Sequence, residues 1–155
     1  ISHAILETGN GKSELAKGLE VGLDKNGVPQ LVTSNNRSSL SKIRTVYNMF
    51  GIQAYDNCAK ECGARHAYRE GWFTPEDAVI GGAKFIGERY IHYVDKYGNK
   101  HQQNTLYKMR WNPQFPGTHQ YATDVAWASK QIANLKRYYD LLDNPTLIFD
   151  IPKFK

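Results

Sequence analysis

The sequence has few of the residues from which disulfide frameworks and zinc sites are built. Its two cysteines, Cys58 and Cys62, form a lone C-x-x-x-C. At helical spacing both would lie on one face, and two alternatives stay open: a somewhat strained disulfide, or two reduced, partly buried thiols. A zinc site would need further ligands at tight spacing, and His66 alone gives little support.

Several catalytic signatures are also missing. His3 and Glu7 share a helix face, but the chain has no H-E-x-x-H motif. It has neither a nucleophile elbow for Ser–His–Asp chemistry nor a glycine-rich phosphate loop. The remaining lone histidines are more typical of surface or packing positions (His66, His92, His101 and His119). We therefore predict that no metal and no cofactor takes part.

No apolar run approaches the length of a membrane span, so we predict no membrane insertion. An initiator Met and a targeting segment are absent as well, and the chain opens inside a helical pattern. We therefore expect it to be a fragment of a longer polypeptide. The 155 residues, 41% of them hydrophobic, suit one domain with a real core over residues 1–155 and argue against disorder.

What the sequence does have is positive charge and tyrosine. The formal charge of +5 favours an anionic partner such as nucleic acid, acidic lipid or an anionic wall polymer. The basic residues are spread out, so the class of partner stays open. The 10 Tyr and 3 Trp suit stacking on sugars or bases, although packing in the core explains much of that excess.

One region has convincing β patterns. Short β-prone runs at Leu19–Leu23 and Val28–Thr33 flank Asn26-Gly27, and Asn-Gly between such runs is a strong hairpin signal. Ile43–Tyr47 is a candidate third strand. Just before this region, Ser13 and Gly18 bound a short helical turn.

Helical patterns dominate the rest. Asn57 is a candidate cap for a helix through Glu70, and Thr74-Pro75 is a clear helix start. The spacing then predicts a long, central buried helix with an apolar stripe (Val79, Ala83, Ile86, Tyr90 and Val94). Glycines inside it would allow close packing against another helix (Gly81, Gly82 and Gly87).

The C-terminal third predicts two further helices and a tail. A short helix covers Thr105–Arg110, and Thr123 or Asp124 caps the last helix. The core stripe of that helix is Ala128, Ile132, Leu135, Tyr139 and Leu142. Thr146–Lys155 is predicted as an extended tail that docks through Phe149, Ile151 and Phe154. The fold class is therefore α+β and predominantly helical, with a small β-hairpin lobe beside a cleft.

Glu7 is the candidate acid. Ile1, Ala4 and Ile5 share a helical stripe, and Gly9 and Gly11 end that helix. The last turn presents partial negative charge, which favours a raised pKa for the Glu7 carboxyl. A carboxyl that keeps its proton suits a general acid, whereas a solvated surface Glu is the alternative.

Glycoside hydrolysis needs such an acid and a second group that stabilises an oxocarbenium-like state. The second group could be a hairpin carboxylate, Glu20 or Asp24. It could also be Asp124, or the acetamido group of the substrate. A cleft lined with Tyr and Trp would suit a polysaccharide.

Several ordered motifs resemble a known family. They are E-T-G-x-G-x-S-x-L-A-K-G, N-x-F-G-I, G-G-A-K-F-I-G, T-L-Y-K-M-R-W-N-P and P-G-T-H-Q-Y-A-T-D, and they run from about Ser2 to Tyr139. They are similar to the bacterial glucosaminidase (autolysin) domains of glycoside hydrolase family seventy-three. The resemblance implies a lysozyme-like α+β fold and endo-β-N-acetylglucosaminidase action on peptidoglycan, in a secreted or cell-wall protein. Family domains usually have helices before this start, and the cysteine pair is not a family hallmark.

The resemblance also implies site residues. The E-T-G motif makes Glu7 the catalytic acid, and the Y-A-T-D motif makes Tyr121 the active-site tyrosine, with Asp124 just after it. Asn48 and Phe50 of N-x-F-G-I would line the cleft floor. Alternatively, Asn48 holds the turn, Phe50 belongs to the core, and Asp124 is a partner of a helix N-terminus.

Substrate contacts are implied for Tyr107, Trp111 and Gln120, although Tyr107 and Trp111 could instead pack the short helix on the body. The implied partner is the peptidoglycan glycan strand, with anionic wall polymers as a further possibility and no nucleic acid. A non-catalytic wall-binding module is the alternative function, and nucleic-acid binding is a weaker third.

Overall fold

The computed structural model of the chain describes residues 2–144 together with 146, 149, 151 and 153. Within them the fold is mixed α+β, as predicted, and its helices are α1 Ser2–Glu7, α2 Glu14–Lys17, α3 Ala59–Arg69, α4 Pro75–Ile86, α5 Leu106–Trp111, α6 Trp127–Lys130 and α7 Ile132–Tyr139. The strands are β1 Leu19–Leu23, β2 Pro29–Leu31 and β3 Ser41–Val46. The described residues fall into two compact units, one over His3–Lys84 and one that starts at Phe85 and takes in Ser2.

The three strands of the first unit form an antiparallel sheet in the order β2-β1-β3, which confirms the hairpin and the third strand. In the strand register, Val21 of β1 pairs with Leu31 of β2 and with Arg44 of β3. The turn between β1 and β2 depends on Asp24, whose Oδ1 accepts hydrogen bonds from the backbone N–H groups of Asn26 and Val28. A side chain that bonds its own backbone in this way defines the turn locally, and this is why the hairpin could be predicted.

Helix α3 packs on the sheet and buries an apolar core with it. Ala64 and Ala67 of α3 are fully buried, as is Val21 of β1. Helix α4 begins at the predicted Thr74-Pro75 signal, where Thr74 Oγ1 accepts from the Asp77 N–H and Asp77 Oδ2 accepts from the Thr74 N–H. Reciprocal bonds of this kind satisfy two of the free N–H groups at a helix start.

The prediction of one long buried helix after Pro75 is wrong. The α-helix ends at Ile86 and continues as a π-helical turn over Gly87–Ile91. Its buried face is Ala78, Gly82 and Ile86, whereas Val79 is 40% exposed and Val94 is 48% exposed. The spacing is right for a helix, and Ile86 of the predicted stripe is buried, but Val79 and Ala83 each lie one position beyond the residues that pack, Ala78 and Gly82.

Two glycines of α4 allow close packing, as predicted, but against aromatic rings rather than a helix. A Cβ at Gly81 would overlap the Trp72 ring, and a Cβ at Gly82 would overlap the Phe50 ring. The same prediction is wrong for Gly87, where a Cβ would have no neighbour within 4 Å.

The second unit buries mainly polar side chains. Helix α5 starts at Thr105, whose hydroxyl accepts from the Lys108 N–H, and ends at Asn112 in the left-handed conformation with φ of 43°. The buried residues of this unit include Gln103, Arg110, Asn112 and Gln131. Buried polar groups are costly unless they are hydrogen-bonded, so this unit depends on how well those bonds are made.

The predicted last helix is divided into α6 and α7, with Gln131 between them. Its predicted core stripe is wrong, since Ile132 is 61% exposed and Leu142 is 56% exposed. Phe149 and Ile151 of the tail are also largely exposed, contrary to the predicted docking. Ile1 of the first predicted stripe and Phe154 of the tail lie outside the described residues.

The cysteine question is decided in favour of the disulfide. Cys58 and Cys62 are joined, with a Cα–Cα distance of 5.4 Å, which lies in the ordinary range for a disulfide. Cys58 is the N-cap residue of α3, and the Cys62 N–H donates to its carbonyl at 2.7 Å, so the two cysteines lie one helical turn apart. In the part of the chain that the structure describes, no helix is long and apolar enough to cross a membrane.

Candidate active site

Glu7 is the last residue of α1, as predicted from the glycines that follow it. Thr8 ties the helix end to the loop, because its hydroxyl donates to the Ala4 carbonyl and accepts from the Gly11 N–H. Gly9 and Gly11 have φ of 56° and 75°, the left-handed region in which glycine has no Cβ penalty. The E-T-G-x-G pattern is therefore a local device that presents Glu7 at a helix C-terminus.

The Glu7 carboxylate lies between a histidine and a tight turn. Its Oε1 is 3.4 Å from His3 Nε2, and its side chain is 28% exposed. A Cβ at Gly51 would lie 3.8 Å from Glu7 Oε2, so the turn backbone passes close to the carboxylate. The His3 ring meets the Phe50 ring edge-on, with centroids 5.3 Å apart. The structure therefore brings together the E-T-G and N-x-F-G-I motifs.

Asn48 holds that turn. Its Nδ2 donates to the carbonyls of Ile52 (2.8 Å) and Gly63 (3.2 Å). Its Oδ1 accepts from the backbone N–H groups of Ile52 and Phe50. The residue is 1% exposed, so the implied substrate contact has almost no surface to act through. The turn-holding alternative is the one that these contacts support.

Phe50 is 6% exposed and packs against His3 and Gly82. The implied position on a cleft floor is therefore corrected to a core position beside the candidate acid. Burial of the Phe50 ring fixes the position of the Gly51 turn, and this turn forms one side of the surroundings of Glu7.

The two hairpin carboxylates are each occupied by their own neighbours. Both oxygens of Glu20 accept from the Arg37 guanidinium, at 2.5 and 3.1 Å, and this hydrogen bonding lowers the pKa of Glu20. Asp24 uses Oδ1 for the hairpin turn and Oδ2 for the Gln30 amide, and the bond from the Val28 N–H is the largest cause of its lowered pKa. Both groups are therefore ionised near neutral pH, as a charge-stabilising carboxylate must be, but their oxygens are already bonded to these neighbours.

In the second unit, Tyr121 lies among other aromatic rings. Its ring meets the Tyr90 ring at 4.8 Å and the Trp127 ring at 5.0 Å. Its backbone N–H donates to the Met109 carbonyl, which joins the Y-A-T-D segment to α5. Burial raises the pKa of Tyr90, so this ring is neutral like the indole of Trp127.

Arg110 organises the segment that carries Tyr121. It is 4% exposed, and its guanidinium donates to the carbonyls of Asp124 (2.7 Å) and Thr123 (2.8 Å) and to Gln120 Oε1 (3.1 Å). Its Cζ lies 4.0 Å from the centre of the Trp111 ring. One planar cation thus holds three points of the loop, an arrangement that the geometry of Arg suits.

The implied substrate contacts of this unit have structural partners as well. Gln120 Oε1 accepts from Arg110 and Gln120 Nε2 donates to the Trp111 carbonyl at 3.5 Å, while the Trp111 ring lies against the Arg110 guanidinium. Tyr107 and Trp111 are half-buried on α5, so each keeps some surface that a sugar could reach.

Asp124 behaves as a partner of a helix start. Its Oδ1 accepts from the Ala126 N–H, just before α6, and its Oδ2 is 2.6 Å from Lys130 Nζ. The bond from Lys130 is the main cause of its lowered pKa. These contacts support the helix-partner alternative.

Sequence reasoning missed the role of Arg110 in the loop and the contact of Tyr90 with Tyr121. An arginine in a polar chain suggests a surface position, and no local pattern shows that its acceptors come from residues 10 to 14 positions later. The K-M-R-W-N-P block was the one available signal. Among the described residues, no group of three or more His, Cys, Asp and Glu side chains could hold a metal ion.

The chain is similar in sequence to known proteins. The family model described as mannosyl-glycoprotein endo-beta-N-acetylglucosaminidase matches residues 1–140. Over all 155 residues the chain is 50% identical to a beta-N-acetylglucosaminidase of Bacillus subtilis (strain 168) and 48% identical to a bifunctional autolysin of Staphylococcus aureus. It spans only 14% and 11% of the length of these two relatives.

A solved structure is similar as well. It is a catalytic mutant of S. aureus autolysin E, with a glutamate replaced by alanine, in complex with the disaccharide NAG-NAM. The match has a TM-score of 0.61 and 38% identity, and it covers 91% of this chain and 51% of that one.

Proposed function

The chain belongs to the glucosaminidase family, and on that premise we propose that it is a peptidoglycan hydrolase that cleaves the β-1,4 bond after N-acetylglucosamine in glycan strands. The observation that carries the proposal is Glu7, a partly buried carboxyl at a helix C-terminus beside the Gly51 turn. The replaced glutamate in the autolysin E mutant supports a glutamate as the essential group. The proposed place of action is the bacterial cell wall, after secretion.

In the proposed mechanism Glu7 begins protonated and gives its proton to the glycosidic oxygen as the bond from that oxygen to the sugar C1 breaks. The helix C-terminus favours the protonated form, because its carbonyl dipoles disfavour an anion. Positive charge then develops at C1 and the ring oxygen. Tyr121, held by the loop that Arg110 organises, is proposed to lie against that charge.

The second group is proposed to be the acetamido carbonyl of the substrate, which attacks C1 and forms a cyclic intermediate. Water then adds to C1, gives its proton to Glu7, and opens the ring to restore the acetamido group. This route is favoured because Glu20 and Asp24 both use their oxygens in other bonds. It predicts retention at C1, so an inverted anomer as the first product, followed by proton NMR, would rule the route out.

The decisive variant is Glu7→Gln, which keeps the shape and removes the acid. Release of reducing ends from purified cell walls is expected to fall by about a hundredfold or more. Glu14→Gln is the matched control, since Glu14 is an exposed helical glutamate paired with Lys60 and is expected to keep full activity. Activity of Glu7→Gln close to that of the wild type would show that Glu7 is not the acid.

The alternative is a wall-binding module without catalysis, with the positive charge as its motive. It predicts that the wild-type protein is retained on walls, is released by salt, and generates no reducing ends. Folded wild-type protein that generates reducing ends would exclude it as a full description.

A further inference from the structure

The second unit contains a groove that none of the roles above uses. Its volume is about 720 Å³, and it runs between residues 93–101 and residues 114–119. Aromatic rings make up much of its lining (Tyr93, Tyr97, His101, Phe115 and His119). Lys96 and Gln114 add hydrogen-bonding groups. We call this the aromatic groove.

The wall of the aromatic groove is a well-defined turn. Val94 and Lys100 form an antiparallel bridge, and between them Asp95 Oδ1 accepts from the N–H groups of Tyr97 and Asn99. The hydrogen bond from the Asn99 side chain to Oδ2 is the main cause that lowers the pKa of Asp95 to about 2, and the two backbone bonds add to it. A turn held by a carboxylate that stays ionised is pre-formed, so binding in the groove would require little ordering.

A row of rings connects the aromatic groove to Tyr121. Tyr93 stacks on His119 with centroids 3.8 Å apart, and His119 stacks on Tyr90 at 4.8 Å. Tyr90 then meets Tyr121 at 4.8 Å. Three successive ring contacts therefore separate the groove from the candidate active-site tyrosine, a distance that a few sugar units of a polymer can span.

Tyr97 is the groove's most exposed aromatic side chain. It is 78% exposed, and Lys96 Nζ lies 4.9 Å from its ring centre. An exposed ring beside an ammonium group matches a sugar with one apolar face and an acidic substituent.

We propose that the aromatic groove is a binding subsite for a further sugar of the same glycan strand, and this inference rests on the proposed function. The apolar face of that sugar stacks on Tyr97, and Lys96 receives an acidic group carried by the strand. Long strands then gain affinity from the groove, whereas a disaccharide, which is held beside Tyr121 alone, does not.

The test measures binding of purified glycan strands, sorted by length, to the full chain with Glu7→Gln present to prevent cleavage. Isothermal titration should show that Tyr97→Ala binds long strands about 3- to 10-fold more weakly and binds the disaccharide unchanged. Tyr97→Phe should retain binding, because it keeps the ring. Tyr55→Ala is the control, since Tyr55 is 59% exposed and lies in the other unit.

Equal affinity of Tyr97→Ala and the parent protein for long strands would overturn the inference, as would an equal loss for the disaccharide. Weaker binding of long strands by Lys96→Ala but not by Tyr97→Ala would also overturn it, since the groove would then bind an anionic polymer. The proposed function is judged separately, by whether the wild-type chain generates reducing ends. The two tests are independent: the chain can generate reducing ends without binding strands in the groove, and it can bind strands in the groove without generating reducing ends.

Discussion

The two units of the molecule have interiors of opposite character. In the unit that carries Glu7, Val21, Val46 and Ala64 are almost fully buried, and few polar residues, such as Asn48 and His66, are buried with them. In the unit that carries Tyr121, the residues with least exposure include Gln103, Asn112 and Gln131. The first unit is thus held chiefly by apolar packing and the second by buried hydrogen bonds.

The difference matters because the two kinds of contact fail differently. Apolar packing tolerates swaps of similar volume, whereas a buried polar group that loses its partner leaves another group unsatisfied. Gln103 shows the dependence, since its Nε2 donates to the Met109 carbonyl, which also accepts from the Tyr121 N–H, and to the His119 carbonyl two residues before Tyr121. We therefore expect the Tyr121 region to be the more sensitive to single polar substitutions.

The largest effect is expected at Arg110. Arg110→Ala removes three hydrogen bonds to Gln120, Thr123 and Asp124 and leaves their oxygens unsatisfied. The free energy of unfolding should fall by on the order of 3 kcal/mol, and wall hydrolysis should fall by about a hundredfold as Tyr121 moves. Thermal unfolding and reducing-end release measure the two effects.

Arg137→Ala, at an exposed position of α7, is the matched control and should leave both measurements unchanged. Arg110→Lys keeps the charge but not the planar fork, so its activity should fall between those of the wild type and Arg110→Ala. An Arg110→Ala protein with wild-type stability and activity would refute the account of this loop.

A smaller effect is expected at Asn48, where one buried amide acts within apolar packing. Asn48→Asp replaces the donor to the Ile52 and Gly63 carbonyls with a further acceptor, at a site that is 1% exposed. The loss should be about 1–3 kcal/mol in the free energy of unfolding, measured by urea titration. Asn35→Asp, at an exposed loop position, should have no measurable effect, and an equal loss there would remove the argument from burial.

The smallest effect is expected at the surface pair of Glu20 and Arg37. The lowered pKa of Glu20 means that its contribution to stability is present above pH 4.5 and is lost as the pH falls through its folded value. Glu20→Gln removes that contribution near pH 7, but it should change the unfolding midpoint little even there, because water screens an exposed pair. It should also keep most of the wall hydrolysis, and a large loss would identify Glu20 as the second carboxylate.

The same contrast explains what could be predicted from the sequence. The Ser13, Thr74 and Thr105 helix starts and the Asp24 turn depend on residues within four positions of each other, so each pattern is visible locally. The positions of Glu7 at a helix end and of Glu20 on a strand follow from such patterns.

The remainder depends on contacts that no local pattern contains. Arg110 meets its acceptors across a loop, and Asn48 reaches Gly63 fifteen positions away. The π-helical turn after Ile86 and the exposed stripe of α7 depend on which face packs, and periodicity alone does not determine this. The resemblance implied contact positions for Asn48 and Phe50, whereas the structure buries both side chains beside the Glu7 turn.

The most direct test of the central claim is the chemical identity of the new reducing end. Cell walls digested by the wild-type chain are reduced with borohydride, hydrolysed and analysed by mass spectrometry. We predict reduced N-acetylglucosamine as the new end group, and none of it above background with Glu7→Gln. Reduced N-acetylmuramic acid, or no new end group from folded wild-type protein, would contradict the account.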